Sequence, residues 1–108
     1  MDDDLDLFEM ANQFPRTTGL PMTVWVGPRG NAQHDARVKV CMTHGNQMDI
    51  HNTAVVGIRP TPRLIEGTLS TPDLRAVSEW IRKNEAALID HWDGNIDGTE
   101  LGARLVRV

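Results

Sequence analysis

Tyrosine is absent from this 108-residue chain, cysteine occurs once, and no apolar stretch approaches the ~18 residues of a membrane span. The single cysteine, Cys41, rules out an internal disulfide and makes a reducing compartment the expectation. The opening MDDDLDLFEM is acidic where a secretory signal is basic, so a soluble cytoplasmic protein is expected. No phosphate loop, GxGxxG fingerprint or GxSxG elbow occurs, which removes the common sequence signs of nucleotide binding and serine hydrolysis. What is present is ordinary for one small globular domain: 40% apolar residues and 24% charged.

The net charge of −4 conceals a division along the chain. Residues 1–15 hold five acids and no base, for −5. Residues 16–63 hold six bases against Asp35 and Asp49, for +4, and residues 64–108 hold five bases and eight acids, for −3. Segregated charge speaks to partners rather than to fold. Residues 1–15 are expected to form an acidic tail, and residues 16–108 a single domain.

The middle of the chain has the two-residue period of strands. Met22-Thr-Val-Trp-Val26 ends in the turn residues Gly27-Pro-Arg-Gly-Asn31. Ala36-Arg-Val-Lys-Val-Cys-Met42 alternates, with Ala36, Val38, Val40 and Met42 on one face and Arg37, Lys39 and Cys41 on the other. Thr53 to Ile58 is a third strand, and Leu64 to Gly67 a short edge strand beyond the prolines at 60 and 62. A helix then begins near Thr71, with Pro72 and Asp73 in its first turn, and carries Leu74, Val77, Trp80, Ile81, Leu88 and Trp92 at helical spacing. The Asn84-Glu85 pair interrupts that stripe, and a bend or break is expected there. The fold class is α+β: an antiparallel meander of three to four strands on one long C-terminal helix, followed by a short extra helix.

The segment His91-Trp-Asp-Gly-Asn-Ile-Asp-Gly-Thr-Glu100 resembles the start of a calcium loop, with Asp93, Asn95 and Asp97 at alternate positions before Gly98. Its twelfth position is Arg104, a cation where the loop needs a bidentate carboxylate. The segment reads instead as a helix boundary. Asp97 is the N-cap and Glu100 its capping-box partner, and Leu101 and Leu105 turn inward.

Three constellations could carry function. His34, His44, Asp49 and His51 offer imidazole and carboxylate donors, without a standard ligand spacing, and no metal or other cofactor is called. Cys41 stands between cations with histidines nearby, as a nucleophile would, yet a lone strand cysteine is more often packing. Trp25, Arg37, Lys39 and Arg59 are expected together on the sheet face away from the helix, forming a partner-binding surface. The competing reading is a set of solvated strand cations with Trp25 covered by the N-terminal segment or a second subunit.

Residues 34 to about 94 resemble a widespread bacterial domain of unknown function. The resemblance rests on His34-Asp-Ala-Arg37-Val38-Lys39-Val40, where typical members carry His-x-Pro-His-Val-His-Val. It rests also on Ile65-Glu-Gly-Thr-Leu-Ser-Thr-Pro72 and on Trp80-Ile-x-x-Asn-Glu85-x-x-Leu88-x-x-x-Trp92. It implies a component of a toxin–antitoxin-like gene pair with no established chemistry. Only His34 of the family's three strand histidines has a counterpart, since Arg37 and Lys39 replace the others.

The function expected is a non-enzymatic interaction protein whose basic sheet face binds an acidic protein partner or a second copy of the chain. The alternatives are a regulator of single-stranded nucleic acid, or an RNA-acting toxin, using the same face. A histidine-based metalloprotein or hydrolase is the third reading.

Overall fold

The computed structural model describes residues 11–108; the acidic tail expectation for residues 1–10 lies outside the described residues. The fold is α+β. Five strands form one sheet in the order β1-β2-β3-β4-β5, every neighbouring pair antiparallel: β1 (Ala11–Gln13), β2 (Val24–Val26), β3 (Arg37–Cys41), β4 (Thr53–Gly57) and β5 (Arg63–Glu66). Three helices accompany them: α1 (Pro15–Thr18), the long α2 (Thr71–Trp92) and α3 (Gly98–Arg104).

The meander is one strand longer than the period-two pattern suggested. Strand β1 falls inside the stretch assigned to the tail, pairing Ala11 with Val26 and Gln13 with Val24. Three residues are too few to show a period, so only the neighbouring strand reveals them.

The first face of the sheet is the core face. Val24, Val26, Val38, Val40, Ala54 and Val56 are each at most 2% exposed and join Val77, Trp80, Ile81 and Leu88 of α2 in one cluster. Trp80 has no exposed surface, and truncating so large a core side chain typically costs about 3–5 kcal/mol. Leu20, Met22 and Leu101 belong to the same cluster.

Helix α2 begins at Thr71 as expected, but Thr71 is already helical and the cap is the residue before it. Ser70, in extended conformation, accepts a hydrogen bond from the Asp73 amide, while Thr71 and Pro72 are already helical. Serine and threonine are near-equivalent caps, so the sequence could not separate them. Nor does Asn84 break the helix, which runs unbroken through Trp92. Asn84 is 2% exposed, and its Nδ2 donates to the carbonyls of Trp80 at 2.8 Å and Val106 at 2.9 Å. Its Oδ1 accepts from the Val106 amide at 2.6 Å. A polar residue in an apolar stripe is thus a clamp on the C-terminal segment. That segment continues to Val108, whose amide donates to the Thr18 carbonyl of α1. Gly19, which ends α1 at φ +81°, has room only for hydrogen, because a Cβ would collide with the Val108 carbonyl oxygen.

Helix α3 opens as expected. Asp97 accepts from the Glu100 amide, Glu100 reaches back to the Asp97 amide, and Leu101 is fully buried with Leu105 packed against the core. The edge strand β5 carries a register shift opposite Val55 and Val56, with exposed Arg63 and Glu66 at its ends. A bulge and charges are the usual defence of an open edge against pairing with another chain. No helix among the described residues is long and apolar enough to cross a membrane.

The clamp makes a direct prediction. Asn84→Ala leaves the Val106 amide and carbonyl without partners and should destabilise the fold by about 1–3 kcal/mol, measured by urea denaturation. A loss too small to resolve would mean that the C-terminal segment is not held through Asn84.

Candidate functional site

Alternation in β2, β3 and β4 fixes a second face of the sheet, turned away from α2. Register places Asn12, Trp25, Lys39, Val55 and Glu66 in one row across all five strands. A second row sets Arg37 opposite Gly57 and Gly57 opposite Arg63, and a third sets Cys41 opposite Thr53. Side chains paired in this way lie about 4.5–5.5 Å apart at Cβ, close enough to act together. Among the described residues the face therefore gathers three cations, Arg37, Lys39 and Arg63, against one acid, Glu66.

Arg63 and Val55 join the face without having been singled out in the sequence. Arg63 follows directly on the prolines at 60 and 62, and only its pairing with Gly57 reveals its side. Ile65 reaches the same side, since a Cβ on Gly57 would meet its Cδ1 at 3.0 Å.

The floor of this face is apolar and is not bare. Trp25 is 8% exposed, Val55 5% and Cys41 1%, yet none of the three belongs to the main core cluster. Arg37 and Lys39 are half-buried, and the Arg37 Nε is buried with no hydrogen-bond partner among the described residues. A buried guanidinium nitrogen without an acceptor is costly, and it marks where a carboxylate would be welcome. Cys41 is too well covered to serve as an open nucleophile, its strand amide donating to the Thr23 carbonyl.

Arg59 stands apart from the other three predicted contact residues. It follows β4 beyond the buried Ile58 and forms an ion pair with Asp35, Nη2 to Oδ1 at 2.8 Å and Nε to both carboxylate oxygens at 3.0 Å. Asp93 and Glu85 of the α2 region add to its negative surroundings, so it belongs to the helix side. The Arg59 hydrogen bonds hold the Asp35 carboxyl down at about 2. Both partners are solvated, which keeps the pair's contribution to stability small.

The four histidine-cluster residues are not brought together. His34 Nδ1 lies 3.0 Å from the Asp35 carbonyl, and its ring tilts against Trp92 at 5.5 Å between centroids. His44 Nε2 pairs with Asp73 Oδ2 at 2.8 Å, tying the β3–β4 loop to the start of α2. Asp49 Oδ1 accepts from the His51 amide within a tight turn. No group of three or more His, Cys, Asp or Glu side chains able to hold a metal occurs among the described residues.

Residues 48–93 match the model of a family described as a domain of unknown function, DUF4160. The DUF4160 match covers β4, β5 and α2, under half of the chain, and leaves β1 to β3 and α3 outside. The His34-to-Val40 motif therefore lies beyond it. No curated protein and no solved structure matches the chain.

His91 is the titratable group that the fold perturbs from within. It is 5% exposed, its Nδ1 has no partner among the described residues, and burial pushes its pKa below the ordinary value of 6.5, against the pull of Asp97 and the Gly27 backbone. A depressed folded-state pKa means that the unfolded chain binds the proton more readily below about pH 6.5. Stability contributed by neutral His91 is thus complete above that pH and declines as pH falls. Urea midpoints taken between pH 7 and pH 5 should drop for the wild type and drop less for His91→Gln. Parallel curves for the two proteins would show that His91 does not titrate in this way.

Proposed function

We propose that this chain is a small interaction module, acting in the reducing interior of a cell, that holds an acidic protein segment on the second face of its sheet. Arg37, Lys39 and Arg63 receive carboxylates above the buried Trp25 and Val55, and Ile65, exposed on the same side, supplies the apolar contact for intervening side chains. The observation that carries the reading is the union on one face, among the described residues, of three cations, a single acid and an apolar floor outside the main core. A partly desolvated cation gains far more from a carboxylate than a solvated one does, so the Arg37 environment favours an anion.

The partner is an acidic protein or a second copy of this chain, and a two-protein module of the toxin–antitoxin kind would supply such a partner. A nucleic-acid reading of the same cations is weaker on physical grounds. Stacking needs an open aromatic face, and Trp25 shows only 8% of its surface. A hydrolase or metal reading has no assembled group to rest on among the described residues.

Fluorescence anisotropy with a labelled peptide of alternating glutamate and leucine tests the proposal. Binding should weaken as salt rises, and Arg37→Ala with Lys39→Ala should reduce affinity at least about tenfold, the scale of one to two charge-assisted hydrogen bonds. Arg59→Ala, away from the face, should leave affinity unchanged. Equal affinity with and without Arg37 and Lys39, or preference for oligo-dT over the peptide, would overturn the reading.

A further inference from the structure

We propose that the groove between Asn84 of α2 and the turn at Thr18 and Gly19 recognises an extended apolar-x-x-apolar segment of a partner protein. Residues 105–108 of the chain occupy it as a displaceable strap. The groove lies on the helix side, so it is separate from the basic face and independent of the interaction proposed there.

The way the strap is held shows what the groove recognises. Helix α3 ends at Arg104, and Leu105, at φ −64° and ψ 136°, starts an extended run. Among the described residues, three hydrogen bonds hold that run beyond the helix, and all go to its main chain. The Val106 amide and carbonyl meet Asn84, and the Val108 amide donates to the Thr18 carbonyl. Gly19, with no Cβ to obstruct it, lets the Val108 carbonyl come close. Leu105 and Val108 pack against the core, while Val106 is 54% exposed and Arg107 is also exposed. Extended chain of this kind returns to the same side every third residue. The groove thus reads main-chain groups and two apolar side chains at i and i+3, and leaves the residues between them open to variation.

The carboxamide makes the site selective for backbone. Asn84 is 2% exposed and stands among the buried residues of α2. With the strap gone, Nδ2 would keep the Trp80 carbonyl, but Oδ1 would lose the partner it has among the described residues. A buried acceptor left unpaired is costly, so the groove takes another extended chain with a free N–H more readily than it stays empty. Exchange asks little of the rest of the fold. The capping box and the fully buried Leu101 belong to α3 and need not move when the residues beyond it peel away. A tethered strap competes at an effective concentration on the order of millimolar, which admits only partners that bind better than it does.

Val106→Pro separates the strap from the groove. It removes the N–H that Asn84 Oδ1 accepts, changes an exposed position, and follows a residue already at the ψ that precedes proline. A labelled, end-capped peptide Ala-Leu-Val-Arg-Val-Ala is titrated into the full chain, wild type and Val106→Pro, by fluorescence anisotropy. The variant should bind at least about tenfold more tightly, the scale of one buried acceptor left unpaired by its own strap. Val108→Ala, which weakens the other anchor, should shift affinity in the same direction. A peptide with proline in place of its first valine should bind none of these chains. Equal affinity across the chains, undiminished binding of the proline peptide, or no binding at all would overturn the proposal. So would loss of binding on Arg37→Ala with Lys39→Ala, which would put the peptide on the basic face. Light scattering should find the wild type monomeric. A dimer that Val106→Pro dissolves would overturn the separate partner, because the groove would then hold the strap of a second copy.

Discussion

The arrangement depends on a strict two-sidedness of the sheet. Antiparallel register aligns Val24, Val40 and Ala54 in one row and Val26, Val38 and Val56 in another, all beneath α2. The same register necessarily sends Trp25, Lys39 and Val55 to the opposite side. A slip of one residue would carry Arg37 and Lys39 under the helix, where neither charge would find water or a partner. Hydrophobic burial on one face thus positions the cations on the other, and no separate device is needed to present them.

The helix side is tied down by polar contacts at each place where the chain changes direction. Ser70 caps α2, Asp97 and Glu100 cap α3, and Asn84 holds the C-terminal segment against the middle of α2. His34 against Trp92 and Asp35 with Arg59 fasten the β2–β3 loop and the end of β4 at one corner of the molecule. These residues have the look of a site in the sequence because they are polar and clustered, yet each is satisfied by a structural neighbour. The second face is the contrary case. Its apolar residues are covered but stand outside the main core, and its Arg37 nitrogen has no acceptor among the described residues.

The DUF4160 match bears on the scaffold more than on the face. It spans the strand pair β4–β5 and the long helix, which supply the central wall of the core. Trp25, Arg37 and Lys39 lie on β2 and β3, before the matched segment.

Local pattern was enough for the fold class, the core side of each long strand, the edge position of β5 and the capping box at Asp97. Each of these is decided by the period of apolar residues or by hydrogen bonds between near neighbours, and both are written in the order of residues. Strand β1, the role of Asn84, the placement of Arg63 with Arg37, and the removal of Arg59 to the helix side were decided by tertiary structure alone. A three-residue strand has no period of its own, an asparagine's partners lie 22 residues away at Val106, and a bulge resets which side an edge residue faces. Such contacts join groups far apart in the chain, so their energies appear only once the sheet and the long helix have brought those groups within reach.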